Sequence, residues 1–214
     1  MPTLEERRQR LLDQLRRTIK DQRVVDAMER VPRERFVSED QAGHAYDDNP
    51  LPIGEGQTIS QPLIVAMMTE ALALTGEERV LEVGTGSGYQ AAVLASLARQ
   101  VVTVERFQNL AEAAKQRLKD LPNVRVEVAK EGVLGWPDSA PYEAVIVTAA
   151  APYVPQMLLD QVVDGGRIII PVGPRDQQEL LLVTKRGEGI QRKSLGGCRF
   201  VPLIGSQAWP ERSM

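Results

Sequence analysis

The spacing of hydrophobic positions changes along this chain and divides it into segments. In residues 3–31 the apolar side chains recur every three or four positions, which predicts helix up to Pro32. A loop rich in proline and glycine follows, around residues 50–56. A further helix is predicted to begin at Ser60-Gln61-Pro62, with Ser60 as its N-cap and the proline in its first turn, and to continue to about Leu74.

From residue 79 onward, short apolar runs alternate with helical stretches. Strands are predicted at 79–83, 100–105, 124–129, 143–149 and 166–172. Helices are predicted between them at 89–99, 108–120 and 153–163. This alternation is typical of a parallel sheet with helices on both faces, and right-handed crossovers bring all strand C-termini to one edge. A ligand crevice is expected at that edge.

The C-terminal part predicts a different kind of pairing. Two further β-type runs, at 178–185 and 197–204, are separated by polar and glycine residues and predict antiparallel edge strands. The predicted fold class is therefore α/β, a doubly wound, mostly parallel Rossmann-like sheet with an N-terminal helical extension. We expect one domain over 1–214, in which 1–75 carries the N-terminal helices and a loop, and 76–214 carries the α/β core and the C-terminal strands.

Composition excludes several classes of function. Apolar residues make up 43% of the 214 residues, and 26 basic against 29 acidic residues give a net charge of −3, so no nucleic-acid partner is expected. No run approaches the length of an apolar membrane span, and no leader peptide is recognisable. The single cysteine, Cys198, allows no intramolecular disulfide. We therefore expect a soluble cytoplasmic protein with no membrane partner. A monomer is the expected oligomeric state.

The candidate chemistry begins where the first predicted parallel strand ends. Val80-Leu81-Glu82-Val83 leads into Gly84, Gly86 and Gly88, and a predicted helix follows. The dinucleotide fingerprint has a different glycine spacing, and an acid just before the glycines would repel a pyrophosphate. Glu82 suits a cationic ligand such as the α-ammonium of an amino acid, which points to S-adenosylmethionine. A tight turn with no ligand is the alternative.

A second acid ends the next predicted strand. Glu105 follows the apolar run 101–104 and lies seventeen residues after Gly88. This is near the distance at which an acid accepts the two ribose hydroxyls in such folds. A solvated acid at a strand end is the alternative, but two acids ending successive strands with glycines between them favour a cofactor site.

Several segments, in order from about residue 46 to residue 203, resemble the protein-L-isoaspartate O-methyltransferase family. The most specific is Leu51–Pro62, which contains Gln57-Thr58-Ile59-Ser60. The other matching segments are 81–94, 135–137, 147–152, 164–168, 170–173 and 199–203. The resemblance implies a class I methyltransferase fold, S-adenosylmethionine as cofactor and S-adenosylhomocysteine as product. It also implies methyl transfer to the α-carboxylate of isoaspartyl residues in damaged proteins, which initiates their repair.

The resemblance also implies the site residues. Ser60 is expected beside the acceptor carboxylate as the catalytic residue, whereas a serine here would otherwise only cap its helix. The expected cofactor-binding residues are Glu82, Gly84, Thr85, Gly86, Ser87, Gly88, Glu105, Arg106, Glu131, Gly132 and Thr148. The expected substrate-binding residues are Ile53, Gln57, Thr58, Ile59, Ser60, Val201 and Leu203, with a purely structural role as the alternative for Gln57. No metal is expected.

One segment departs from the family pattern. Where the family has Gly-Asp-Gly, with the acid on the adenine amino group, this chain has Lys130-Glu131-Gly132. A glutamate can accept the same hydrogen bond, but Lys130 replaces a glycine that would permit positive φ. The cofactor affinity is therefore expected to be weaker than in relatives.

Other functions explain fewer of these features. An amino-group methyltransferase would carry an Asn/Asp-Pro-Pro-aromatic turn where this chain has Thr148–Pro152. A small-molecule O-methyltransferase leaves the 51–62 loop unexplained, and a nucleotide-dependent dehydrogenase conflicts with the glycine spacing. A non-catalytic protein that keeps the fold is suggested only by residues 130–131. The lack of a nucleophile–base pair is no obstacle, because an acceptor carboxylate is already an anion at neutral pH.

Overall fold

Two separate helices form the start of the chain, where the sequence predicts helix throughout residues 3–31. The structure is a computed structural model and describes residues 2–211. Helix α1 (Leu4–Thr18) begins with a capping box, and α2 (Gln22–Arg30) is capped by the side chain of Asp21. The break between them is stabilised by Glu70, whose carboxylate accepts the backbone N–H groups of Lys20 and Asp21 at 2.6 and 2.8 Å.

A short hairpin precedes the third helix, in the segment that the sequence predicts as a loop. Strands β1 (Leu51–Gly54) and β2 (Gln57–Ile59) are antiparallel, and α3 (Pro62–Ala71) follows. The N-cap of α3 is Gln61, so the prediction of Ser60 as N-cap is wrong. The physical reason is a remote carboxylate: Asp48 accepts the backbone N–H of Leu63 at 2.9 Å.

The central sheet has seven strands in the order β5-β4-β3-β6-β7-β8-β9. The parallel strands are β3 (Arg79–Val83), β4 (Gln100–Glu105), β5 (Val124–Val128), β6 (Tyr142–Val147) and β7 (Val162–Val172). The antiparallel strands are β8 (Gln178–Arg186) and β9 (Gly189–Cys198). The connecting helices are α4 (Tyr89–Ala95), α5 (Gln108–Leu118) and α6 (Gln156–Leu159). The predicted α/β fold class is confirmed.

Both faces of the sheet are buried, which explains why its strands read as continuous apolar runs. Val80 and Ile146 belong to a hydrophobic cluster that includes the N-terminal helices, whereas Leu81 and Val145 belong to a second cluster on the other face. Strand β3 lies between β4 and β6, so the chain order reverses beside it. Such a switch point leaves a crevice at the carboxyl ends of the strands. Among residues 2–211, no helix is long and apolar enough to cross a membrane.

Two predicted elements of the C-terminal half are wrong. The helix predicted at 153–163 reduces to the four residues of α6, because β7 already begins at Val162. The last edge strand lies at Gly189–Cys198 rather than at 197–204, because a tight turn at 187–188 returns the chain directly from β8. After Cys198 the chain leaves the sheet and makes only isolated bridges, including Ala150 with Pro202.

Candidate active site

A cleft opens at the carboxyl edge of the sheet and is lined by residues that are far apart in the sequence. Its walls come from β2 and the residues after it, the turn after β3, the ends of β4 and β6, and the segment 201–204. The predicted site residues in this lining are Gln57, Thr58, Ile59, Ser60, Glu82, Gly84, Thr85, Gly86, Ser87, Glu105, Arg106, Thr148, Val201 and Leu203. The structure therefore brings most of the predicted cofactor and substrate residues to one cleft.

Glu82 is a buried carboxylate in strand β3. It is completely buried, and neither of its oxygens forms a hydrogen bond with any residue of the described part of the chain. Burial raises the pKa of Glu82 to about 8, the nearby Thr103 hydroxyl acts in the opposite direction, and repulsion from Glu105 adds to the rise. A cationic group in the cleft would supply the missing partner.

Glu105 is the opposite case, because its carboxylate is held firmly by the backbone. Its Oε1 accepts the N–H groups of Arg106 and Phe107 at 2.8 and 3.0 Å, and its Oε2 accepts that of Gly86 at 2.8 Å. The carboxylate therefore links the end of β4 to the glycine turn after β3. One acceptor position on Oε2 stays open for a further donor, since each carboxylate oxygen has two lone pairs.

The glycine turn is shaped by a residue of a neighbouring strand end. The hydroxyl of Thr148, just after β6, donates to the carbonyl oxygen of Gly84 at 2.6 Å. A Cβ built on Gly84 would lie 2.3 Å from that hydroxyl, and the φ of Gly84 is +99°. Only glycine allows both this backbone conformation and this close approach.

Ser60 lies on the opposite wall of the cleft and is half-buried. Its hydroxyl forms no hydrogen bond with any of residues 2–211. The start of α3 beside it offers few free donors, because Pro62 has no N–H and Asp48 already accepts the N–H of Leu63. An anion bound here would therefore depend on the Ser60 hydroxyl more than on the helix terminus.

Four predicted site residues lie outside the cleft lining. Ile53 reaches over the glycine turn from β1, with its Cδ1 3.2 Å from a Cβ built on Gly86. Gly88 allows α5 to pack closely, because a Cβ there would lie 3.0 Å from a methyl group of Leu118. Glu131 and Gly132 are exposed on the loop after β5. Their roles in binding stay predictions.

The wall of the cleft beyond the glycine turn was not predicted in full from the sequence. It is lined by Ala129, Val133, Leu134 and Gly135. Gln161, which is also buried, holds this loop: its Nε2 donates to the Leu134 carbonyl at 2.7 Å, and its Oε1 accepts the Trp136 N–H at 2.8 Å. The sequence signals for this loop are the Gly135-Trp136-Pro137 motif and the segment Lys130-Glu131-Gly132.

Lys130, the residue that departs from the family pattern, turns away to the surface of this loop. Its ammonium pairs with Asp138 at 2.5 Å and lies 4.5 Å from the centre of the Trp136 ring. The side chain at this position therefore supports the loop from outside the cleft. The described residues contain no cluster of three or more potential metal ligands.

Comparison with known proteins decides between the methyltransferase classes. The sequence model of the protein-L-isoaspartate(D-aspartate) O-methyltransferase family matches residues 6–208. The chain belongs to this family. The match includes both walls of the cleft, so the assignment does not depend on the glycine turn alone.

Relatives of this methyltransferase family cover nearly the whole chain. Protein-L-isoaspartate O-methyltransferase 1 of Syntrophobacter fumaroxidans is 55% identical over 195 residues, which are 90% of this chain and 91% of the relative. The protein-L-isoaspartate O-methyltransferase of Dictyoglomus thermophilum is 49% identical over 213 residues, which are 98% of this chain and 96% of the relative. The N-terminal helices therefore belong to the shared part of the family.

Solved structures of the family share the fold. One protein-L-isoaspartate O-methyltransferase superposes with a TM-score of 0.82 at 30% identity, covering 94% of this chain and 67% of its own. A second, from Plasmodium falciparum and in complex with S-adenosyl-L-homocysteine, has a TM-score of 0.76 at 26% identity and covers 91% of this chain and 96% of its own.

The cleft of this chain fits the cofactor of such enzymes. Glu82 has no cationic partner among residues 2–211, Glu105 has an open acceptor position, and Ala129, Val133 and Leu134 provide an apolar wall. These three environments match an ammonium group, a ribose hydroxyl and a purine ring in turn.

Proposed function

We propose that this chain transfers a methyl group from S-adenosylmethionine to the free α-carboxylate of L-isoaspartyl residues in damaged proteins and peptides. The observation that carries the proposal is a single cleft with two chemically different walls. One wall holds Glu82 and Glu105, and the other holds Gln57–Ser60. The membership of the family, over residues 6–208, supports the same acceptor.

The cofactor, when bound, supplies a methyl group on a positively charged sulfur, which is a built-in leaving group. Glu82 binds the ammonium end, and Glu105 binds the ribose through the open position on Oε2. Thr148 keeps Gly84 in the conformation that lets the backbone approach the ligand. The residues of this wall therefore bind and orient the cofactor, and none of them needs to exchange a proton with the reacting groups in the transfer step.

Ser60 acts on the acceptor side. Its unpaired hydroxyl donates to one oxygen of the acceptor carboxylate and directs the other toward the methyl group. No general base is required, because the acceptor is already ionised. Orienting the two reacting groups in this way can supply roughly 7–11 kcal/mol of the barrier reduction.

The acceptor peptide lies between residues 57–60 and the segment 201–204. This C-terminal segment is fixed by backbone hydrogen bonds: the Leu203 N–H donates to the Ala150 carbonyl, and the Ala150 N–H donates to the Val201 carbonyl, both at 2.8 Å. A wall of fixed backbone favours recognition of the peptide main chain over its side chains. Substrates with different flanking residues are therefore accepted.

The two parts of the chain divide this work. The part of the chain up to residue 75 supplies the acceptor wall through Gln57–Ser60, and the part from residue 76 supplies the cofactor wall and the segment 201–204. A cytoplasmic monomer is a sufficient working form, because one chain contributes both walls. Light scattering of the purified protein, with and without peptide, measures that oligomeric state.

A paired-peptide methylation assay tests the proposed function. Two peptides of identical sequence, one with an isoaspartyl linkage and one with a normal aspartyl linkage, are incubated with labelled S-adenosylmethionine. We expect label only in the isoaspartyl peptide, and at similar rates when the flanking residues are varied. Equal labelling of both peptides, or of neither, would contradict the proposal.

A further inference from the structure

Asp48 lies outside the cleft lining but controls the segment that carries Ser60. Its Oδ1 accepts the backbone N–H of Leu63 at 2.9 Å, and its Oδ2 accepts the side-chain amide of Gln61 at 2.9 Å. Both partners lie within three residues of Ser60 in the chain. One carboxylate therefore binds both the N-cap residue that follows Ser60 and the first turn of α3.

This arrangement gives the helix start an N-cap from a remote part of the sequence. A serine just before a helix usually accepts one of the first free N–H groups with its own hydroxyl. Here Pro62 has no N–H, and the next one, of Leu63, is bound by Asp48. The Ser60 hydroxyl is consequently not needed for capping, and it makes no hydrogen bond to any described residue while it lines the cleft.

The loop that carries Asp48 is held by a buried arginine, Arg33. Arg33 is completely buried; its Nε donates to the carbonyl of Ala45 at 2.8 Å, and its Nη2 donates more weakly to the carbonyl of Asn49 at 3.5 Å. Its guanidinium also lies 5.1 Å from the ring centre of Tyr89, a residue of the cleft lining. The loop that carries Asp48 is therefore fixed on both sides of that residue.

We propose that Asp48 is a positioning residue for methyl transfer: by capping α3 in place of Ser60, it frees the serine hydroxyl and holds it toward the acceptor. This inference rests on the proposed function, in which Ser60 contacts the acceptor carboxylate. Asp48 acts through two hydrogen bonds and not through its charge, so a residue that keeps the bonds should keep the effect.

Three variants test the inference. Asp48→Ala is expected to lower kcat for an isoaspartyl peptide about 10- to 100-fold, the scale of a misplaced reacting group, with less than a twofold change in the Kd for S-adenosylhomocysteine. Asp48→Asn should restore most of kcat, because its amide still accepts from Leu63 and can pair with a flipped Gln61. Gln14→Ala is the matched control, since it removes only a 3.5 Å contact to the same carboxylate.

A double-mutant cycle separates positioning of Ser60 from a general loss of structure. In a Ser60→Ala background, Asp48→Ala is expected to cost less than threefold in kcat, because the hydroxyl it positions is already absent. Additive losses would overturn the inference, as would an Asp48→Asn variant as slow as Asp48→Ala. Normal activity of the Ser60→Ala single variant would contradict the proposed role of the serine. A slow Ser60→Ala variant together with a normal Asp48→Ala variant would contradict only the role of Asp48.

Discussion

Among single residues, Glu82 lowers the stability of the ligand-free protein but provides a binding partner for a cationic ligand. A carboxylate that is fully buried without a partner is held against its tendency to ionise. Burial raises its pKa from an ordinary 4.5 to about 8. Below pH 4.5 both the folded and the unfolded chain carry the proton, but between 4.5 and 8 only the unfolded chain loses it. The stability of the ligand-free protein therefore falls as pH rises through this window.

Glu82→Gln is expected to remove this pH dependence, because an amide does not ionise. At pH 8 the free energy of unfolding of the variant should exceed that of the wild type. This excess should be larger than the excess at pH 4.5 by on the order of a few kcal/mol. Urea unfolding at several pH values, without ligand, measures it. A Glu112→Gln variant, on the exposed side of α5, is the control. Parallel stability profiles for Glu82→Gln and wild type would disprove the burial argument.

Ser60 differs from Glu82, because we expect the loss of its hydroxyl to lower activity without changing stability. Ser60→Ala should unfold at the wild-type temperature, because the hydroxyl makes no hydrogen bond within the described chain. Its kcat/KM for an isoaspartyl peptide should fall about 100-fold or more, with S-adenosylhomocysteine affinity unchanged. Steady-state methylation assays measure this, with Ser194→Ala on the exposed strand β9 as control. Activity within a few-fold of wild type would exclude Ser60 from the site.

At the scale of elements, the walls of the cleft depend on contacts between segments that are distant in sequence. The loop after β5 is held by Gln161, and the start of α3 by Asp48. Local patterns predicted β3–β6 well, because a buried parallel strand is marked by its own apolar run. They misplaced β9, whose side chains are mostly exposed, and overextended α6, because neither element carries a clear apolar period.

The hydrogen bonds of Gln161 to the loop after β5 lead to a testable prediction. Gln161→Leu keeps the approximate volume but leaves the N–H of Trp136 and the carbonyl of Leu134 buried without partners. We expect a loss of stability of about 1–3 kcal/mol for each unpaired group and a weaker affinity for S-adenosylhomocysteine. Calorimetry measures both quantities. Gln156→Leu, on the exposed part of α6, should change neither, and wild-type affinity in Gln161→Leu would show that the loop does not contact the cofactor.

At the scale of the whole molecule, binding of the cofactor is coupled to the proton on Glu82. The switch point beside β3 places this acid and Glu105 in the same crevice, so a cationic ligand meets a carboxylate that is still protonated at pH 6.5. An ammonium group lowers the pKa of a neighbouring carboxyl group. Ligand binding should therefore release a proton, and affinity should rise with pH up to about 8.

Titration calorimetry of S-adenosylhomocysteine in buffers with different ionisation enthalpies measures this release. At pH 6.5 we expect the wild type to release about one proton on binding and Glu82→Gln to release none, together with a weaker affinity of the variant. Equal proton release by the two proteins would assign the proton to another group. An affinity of the wild type that is independent of pH from 6 to 8 would contradict the coupling itself.

The amino-acid sequence alone predicts the parallel strands β3–β7, the glycine turn with its two acids, and the family resemblance carried by residues 51–62. These features are local, because apolar runs, glycine spacing and strand-end acids can each be recognised within a few consecutive residues. Three-dimensional packing alone brings Asp48 to the start of α3 and Gln161 to the far wall, and leaves Glu131 exposed outside the cleft lining. Such decisions depend on groups that meet across 15 to 27 positions of the chain, and no local pattern encodes which of them meet.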